Sequence, residues 1–490
     1  MQLVPDTLAA NLVDGQWVEP AAGRAIEVVN PANLETIGNV PDRSPSEAAL
    51  AADAAGRAAA GWAVTPAVER EAVLLRAAAL MEENREALAR LITLEQGKPL
   101  EESRGEIDYG ASFVHWYAAE ARRLYGEIVP AQDAAKYQLV FREPVGPTLL
   151  VSSGNDPFAM IARKGAPALA AGCPLVVKPH RETPFSALAA AHLFEAAGLP
   201  PGVMNVITTT RSNESCRTLL EHPAMRHVTF TGSSAVGRHL GGQAGALMKG
   251  MTMELGGHAP FVVHDDADLD LAVGDLLARK FTNAGQTCSC PARMFLHESI
   301  AEPFVERFVA GMEAIVVGDG MDPATTMGPL QNEGAIEKTE RHVRDALAKG
   351  ARLLGGGDGG SGEGSGRLRN LPGHFHAPTA LIDATPDMLV MHEETFGPLA
   401  AFVRFHTEEE LFRTVNHATY GLTAYCYTRD LARAFRTAEV FRCGFVGVND
   451  RRPQGAEVPM GGVGESGLGR EGGHWGIEEF TTIKYVSIRV

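Results

Sequence analysis

Cysteine and basic charge are both scarce in this chain. Its six cysteines, at 173, 216, 288, 290, 426 and 443, follow no disulfide-like spacing. That excludes a disulfide scaffold and leads us to expect a reducing compartment, the cytoplasm. No second Cys/His pair lies near Cys288 and Cys290 at ligand spacing, so no metal site is expected. Lys and Arg number 44 against 60 Asp and Glu, for a formal net charge of −16. Nucleic acid and anionic membrane are therefore not expected as partners. No run reaches the roughly eighteen apolar residues that a membrane span needs. The first twenty residues lack a basic stretch followed by an apolar one, so no signal peptide is expected. What remains is 45% hydrophobic and 21% charged, ordinary for a globular protein, and long enough for about two or three domains.

Residues 46–125 are rich in Ala, Leu, Glu and Arg with apolar positions every three to four residues, which predicts helices, with Pro66 and Gly97 as boundaries. From 145 onward, short apolar runs such as "VGPTLLVSSG", "PLVVKP", "GVMNVIT" and "HVTFTG" alternate with helical stretches. This pattern predicts βαβ units and a parallel sheet covered on both faces. Ligands on such sheets sit beyond the carboxyl ends of the strands, which singles out 152–156, 178–182 and 231–236. A second α/β pattern begins near 257. In it, "LDLAVGDLLARKF" carries a helical stripe at 269, 272, 273, 276, 277 and 281. The glycine-rich stretch 355–366 reads as a surface loop, since no helix follows to make it a phosphate cradle. The C-terminal "EEFTTIKYVSIRV", a strand with no hairpin partner, and "KYQLVFREP" at 136–144 read as extended pieces available to a second subunit.

Three residues could carry chemistry. Cys288 follows Gly285, Gln286 and Thr287 in a polar turn, where it can offer both sulfur and backbone N–H to one carbonyl group. Glu254 in "MELGGH" is either a loop carboxylate or a base for water. Asn155, at the end of a βαβ strand, is either a turn residue or an amide aimed at an oxyanion.

Together these residues resemble the aldehyde dehydrogenase superfamily. "FTNAGQTC" is similar to its cysteine signature and "MELGG" to its glutamate signature, 34 residues apart. "EETFGP" at 393–398, "FTGSSAVG" at 230–237 and "GLGREGG" at 467–473 fit as well, and the resemblance runs over nearly the whole chain. It implies an α/β fold with a Rossmann-type doubly wound cofactor domain (1–125 and 145–256), an α/β catalytic domain (257–465), and oligomerisation strands (126–144 and 474–490) that build a homodimer or homotetramer. It also implies a mechanism in which Cys288 attacks a small-molecule aldehyde, Asn155 and the Cys288 N–H hold the oxyanion, NAD or NADP takes the hydride, and Glu254 activates water to release the acid from a thioester. Carried over by position, Ser152, Ser153, Lys178, Arg181, Gly232, Ser233, Val236, Leu255, Glu394 and Phe396 would hold the cofactor. Gly232 and Ser233 open a helix whose N-terminus suits a pyrophosphate.

Several positions depart from the family. Arg181 stands where NAD-preferring members often carry Glu, and an arginine attracts a 2′-phosphate, so NADP is expected to be accepted. Asp156 replaces an aromatic residue in the substrate tunnel, where Arg163, Thr282, Thr287, Gln454 and Met460 are also expected. The texture is closest to succinate-semialdehyde dehydrogenases, yet Thr282 stands where those carry an anion-binding Arg. Arg163 matches their other Arg, and Arg451 with Arg452 could replace the missing charge. Gly464 stands where the family often has Lys. Cys290 is either a small pocket residue or the partner of Cys288 in a disulfide switch. A CoA-acylating enzyme and a non-catalytic family member are the alternatives, and the intact Glu254, Cys288 and Asn155 speak against both.

Overall fold

The expected N-terminal helices form as α1 (Pro45–Val64), α2 (Ala67–Glu83), α3 (Arg85–Gln96) and α4 (Leu100–Glu120) in the computed structural model, which describes residues 3–20, 23–356, 366–368 and 370–490. The glycine-rich stretch falls, over 357–365, outside these residues. Helix α1 starts where its sequence says it should. Ser44 caps the Glu47 N–H, Glu47 answers on the Ser44 N–H at 2.8 Å, and Pro45 occupies the first turn, a capping box. Helix α3 stops at Gly97, whose φ of 95° costs glycine nothing.

Downstream, strands alternate with α5 (Pro157–Ala171), α6 (Pro184–Ala196), α7 (Ser212–Glu221) and α8 (Ser234–Ala246). They build a six-stranded sheet in the spatial order Gly467–Leu468, Gly250–Glu254, His227–Thr231, Thr148–Val151, Leu175–Lys178, Met204–Val206. All neighbours are parallel except the short Gly467–Leu468 strand. The chain winds outward from Thr148–Val151 in one direction, then returns to its other side with His227–Thr231. The strand order therefore reverses between these two, and the connections after them diverge to leave a crevice. A seven-stranded sheet, parallel but for its edge strand Arg352–Gly355, follows from Ala259 onward. Helix α9 (Leu269–Lys280) packs beside its central strand Pro291–His297.

The two extended pieces pair with each other within the chain. Thr481–Arg489 runs antiparallel to Lys136–Pro144 from the Thr481–Pro144 pair to the Arg489–Lys136 pair, with Glu127–Val129 on the far side. The signal was missed because the partners lie more than three hundred residues apart.

Two buried carboxylates hold the starts of the helices behind the crevice. The N–H groups of Phe158 and Ala159 in α5 donate to Glu106 of α4 at 2.8 and 3.0 Å. Those of Phe185 and Ser186 in α6 donate to Glu95 of α3, both at 2.8 Å. Neither helix has a side-chain cap of its own, so the caps come from the preceding layer. Burial pushes the Glu95 carboxyl up to about 8, against the pull of its donors on Ser186 and Phe185. Glu95→Ala is expected to lower the urea midpoint, the orphaned N–H groups costing about 2 to 4 kcal/mol. Glu95→Gln keeps one acceptor and is expected to cost about half as much. Equal stability of all three proteins would remove the capping role.

Candidate active site

The cysteine motif owes its shape to a left-handed turn. After α9, residues Asn283, Ala284 and Gly285 have φ of 49°, 52° and 77°. A Cβ on Gly285 would lie 2.2 Å from the Gly397 carbonyl oxygen, so only glycine fits there. Asn283 is not glycine, and its unfavourable backbone is offset by bonds on every side. Its N–H donates to Glu102 at 2.7 Å, its Oδ1 accepts from Gln96 at 2.8 Å, and its Nδ2 donates to the Asn155 carbonyl at 3.0 Å. Gln286 closes the turn, donating to the Asn283 carbonyl and accepting from the Gln331 N–H. The Asn, Gly and Gln of the motif are thus scaffold, and they bring Cys288 to the Asn155 loop.

Cys288 is half-buried on the wall of a cavity of about 470 Å³ at the switch point of the six-stranded sheet. Glycines bring the glutamate motif against it, since a Cβ on Gly257 would meet the Cys288 carbonyl oxygen at 2.1 Å. Glu254, the last residue of its strand, lies buried beside the thiol. Burial, and then the negative charge of Glu254, push the Cys288 thiol well above its ordinary range, with Arg163 opposing. Burial also raises the Glu254 carboxyl. Among the described residues, nothing accepts the Cys288 N–H. The Asn155 side-chain NH₂ donates one hydrogen to Asp156 at 3.1 Å, which leaves its second hydrogen for another acceptor.

All ten residues expected to hold the cofactor line this cavity: Ser152, Ser153, Lys178, Arg181, Gly232, Ser233, Val236, Leu255, Glu394 and Phe396. Their chemistry fits a dinucleotide. Gly232 and Ser233 precede α8, Ser233 caps its first turn, and a Cβ on Gly232 would strike the Phe230 ring at 2.4 Å. Lys178 is buried with no carboxylate in ion-pair reach among the described residues. The hydroxyls of Ser153 and Thr231 are buried without partners. Glu394 accepts the Gly257 N–H at 2.9 Å, and burial pushes its carboxyl up to about 7. Arg181 is well exposed at the cavity edge, 3.7 Å from Glu182, whose carboxylate also accepts from Asn332. His180 and Glu182, within the 178–182 stretch that the strand-end rule singled out, line the same cavity. Sequence reasoning missed Ser212, Asn213, Asn332 and Lys338, which line it too and come from helices and loops with no local signal.

The residues expected in the substrate tunnel scatter more, and none of them lines this cavity. Arg163 is paired rather than free. It is buried with Nη2 3.3 Å from Glu254 and Nε on Glu471, which also binds Lys164. These two cations and two anions balance, as buried charges must. Glu471 was missed although it stands in the quoted "GLGREGG". Thr282 turns its hydroxyl back onto the Ala278 carbonyl, a local bond that the end of α9 invites. Arg451 is neutralised by Asp275 at 2.7 Å. Asp156 supplies no bare charge either, since Lys98 binds it at 2.8 Å while also holding Glu106 at 2.9 Å. The buried Met460 takes the Tyr109 hydroxyl on its sulfur, Thr287 is buried with an unpartnered hydroxyl, and Gln454 accepts from Arg279 at 3.3 Å. Cys290 does not line the cavity; its buried sulfur packs on Lys280 and the Pro291 carbonyl.

A model described as the aldehyde dehydrogenase family matches residues 17–486. The chain is 45% identical over 480 residues to the NADP⁺-dependent succinate-semialdehyde dehydrogenase of Escherichia coli, covering 97% of each. It is 45% identical over 476 residues to the 3-sulfolactaldehyde dehydrogenase of Pseudomonas putida, covering 97% of this chain and 96% of that one. It is 44% identical over 476 residues to a glutarate-semialdehyde dehydrogenase of Pseudomonas aeruginosa, with the same coverage. Its structure is similar to a crystal structure of succinate-semialdehyde dehydrogenase from Burkholderia pseudomallei, with a TM-score of 0.95 at 45% identity over 99% of each chain. Over nearly its whole length, then, this chain belongs to the aldehyde dehydrogenase family, the NAD(P)-dependent oxidoreductases of aldehydes.

Proposed function

We propose that this enzyme oxidises a short aldehyde carrying a second, anionic group, with succinate semialdehyde as first candidate, to the corresponding acid, and that it prefers NADP⁺. The observation that carries the reaction is the Cys288 sulfur beside the Glu254 carboxylate on the wall of the dinucleotide-shaped cavity. The substrate class is supported by the relatives, whose names share an aldehyde with a distal carboxylate or sulfonate. The coenzyme preference is supported by Arg181, exposed and 3.7 Å from Glu182 at the edge of a cavity that also holds Lys178.

Each residue then has a task. The Cys288 sulfur bonds to the carbonyl carbon while its proton passes to Glu254, the carboxylate beside it. The oxyanion takes the unpaired Cys288 N–H and the second hydrogen of the Asn155 amide. Asp156, anchored by Lys98, fixes that amide by holding its first hydrogen. The departure from the family's aromatic residue thereby becomes an orienting bond. When bound, the nicotinamide coenzyme supplies the hydride acceptor, held by Lys178, Arg181, Ser233 and Glu394. Once Glu254 has released the thiol's proton to solvent, the resulting thioester on Cys288 is cleaved by a water whose proton Glu254 accepts. A base poised for water favours hydrolysis over acyl transfer to CoA. The exposed outer edge of Thr481–Arg489, bearing Ile483 and Tyr485, supports assembly into a homodimer or homotetramer. Cysteines that are all unpaired support a reducing, cytoplasmic setting.

Steady-state kinetics with succinate semialdehyde, glutarate semialdehyde and butanal, each with NADP⁺ and NAD⁺, test this reading. We expect both semialdehydes to exceed butanal in kcat/KM and NADP⁺ to exceed NAD⁺ by about tenfold or more. Arg181→Glu should reverse the coenzyme order. A wild-type preference for NAD⁺ would remove the role of Arg181.

The Cys288–Glu254 pair makes a separate prediction. The anionic Glu254 raises the thiol, so Glu254→Gln should move the pH midpoint of Cys288 alkylation by iodoacetamide downward. Turnover should fall on the order of 100-fold or more, because water loses its base. A midpoint that stays or rises would mean that the carboxylate helps to ionise the resting thiol.

A further inference from the structure

Helix α9 carries a buried cation that no carboxylate among the described residues neutralises. Arg279 is 8% exposed, and its partners are all uncharged. Its Nη2 donates to the Ser289 hydroxyl and, at 3.3 Å, to the Gln454 amide oxygen, and its Nε donates to the Tyr425 hydroxyl at 3.4 Å. Tyr425 spends its own hydrogen on the Ser289 carbonyl at 2.8 Å. Asp275, one turn earlier on the same helix, gives one oxygen to Arg451 and the other to the Tyr427 hydroxyl. Among the described residues, no carboxylate lies within ion-pair distance of Arg279. Its Nη1 bonds to none of them and is not among the sealed polar atoms, so it opens on accessible space. A buried guanidinium without a counter-ion is costly to fold, which suits a site whose counter-ion arrives with the ligand.

Location gives that ligand a direction. Ser289 directly follows the nucleophile, so Arg279 is pinned to the residue beside Cys288. The other basic residues near the site are less suited. Arg163 is paired with Glu254 and Glu471, Arg451 with Asp275, and Arg452 is exposed. Lys280 also lacks a carboxylate, but it is 2% exposed and closed off by the Pro291 carbonyl and the Cys290 sulfur.

We propose that Arg279 is the receptor for the distal anion of the aldehyde, with the Gln454 amide displaced and the Ser289 hydroxyl beside it as a second donor. This rests on the reading that the substrate is an anionic aldehyde. The planar fork of an arginine receives a carboxylate or a sulfonate equally well. The charge missing at Thr282 is thereby restored one helical turn earlier, from a side chain that leans back along α9.

Kinetics of Arg279→Met and Gln454→Glu with NADP⁺, comparing succinate semialdehyde with butanal, test the assignment. In Arg279→Met the kcat/KM ratio of semialdehyde to butanal should fall on the order of 100-fold, through the KM of the semialdehyde. Gln454→Glu places a carboxylate against the guanidinium and should erase the preference in the same way, which keeps the test decisive if the Met variant fails to fold. Arg279→Lys keeps the charge without the fork and should recover part of the loss. Equal losses on both aldehydes would mean that Arg279 only props the Ser289 loop, and would overturn the proposal. So would a semialdehyde preference that survives both substitutions, and in that case the substrate reading stands. A wild-type enzyme that does not prefer the semialdehyde would overturn both.

Discussion

Everything chemical in this protein hangs on the left-handed turn at Asn283–Gly285. The proposed nucleophile follows a helix of one sheet while the cavity lies at the edge of the other, and the turn carries Cys288 across from the end of α9 to the wall of that cavity. Three successive residues with positive φ are uphill for any L-residue except glycine. The turn persists because Asn283 is bonded to Glu102, Gln96 and the Asn155 carbonyl at once. The same bonds bring the nucleophile and the expected oxyanion donor into one place, so local strain is spent on positioning.

Around that turn the protein buries an unusual number of charges and balances most of them. Arg163 and Lys164 face Glu254 and Glu471. Lys98 faces Glu106 and Asp156. Glu106 and Glu95 are tied to helix N-termini. Paired buried charges add little net stability, but breaking one pair leaves an uncompensated ion, so each network fixes one arrangement of its elements. Among the described residues, five buried cations have no carboxylate in ion-pair reach. Arg70, Lys280 and Arg293 are spent on backbone carbonyls, whereas Lys178 stands in the cavity wall and Arg279 beside Ser289.

Legibility followed the range of the interactions. The helices at 46–125 and the βαβ alternation were readable because periodicity, caps and strand ends are local; the ten residues proposed for the cofactor, which share one cavity, came from the family resemblance. The substrate side was not. Whether Arg163, Arg451 or Arg279 is a free charge depends on Glu471, Asp275 and Gln454, each far away in sequence. Position by position, Arg163 and Arg451 looked like the anion binders and Arg279 drew no notice, because a residue's type says nothing about whether its charge is already spent. The pairing of 136–144 with 481–489 was invisible for the same reason.

By itself the sequence determined which groups could do the chemistry: a thiol, a carboxylate and an amide in motifs whose glycines permit close approach of backbone to backbone. It also determined the alternation of strands and helices that creates a switch point, since these depend on neighbours along the chain. Only the tertiary structure decided which charges cancel, which helix start borrows its cap from another layer, and which arginine is left without a carboxylate next to Cys288. Electrostatic neutralisation acts through space at a few ångströms, and the folded chain alone sets those distances.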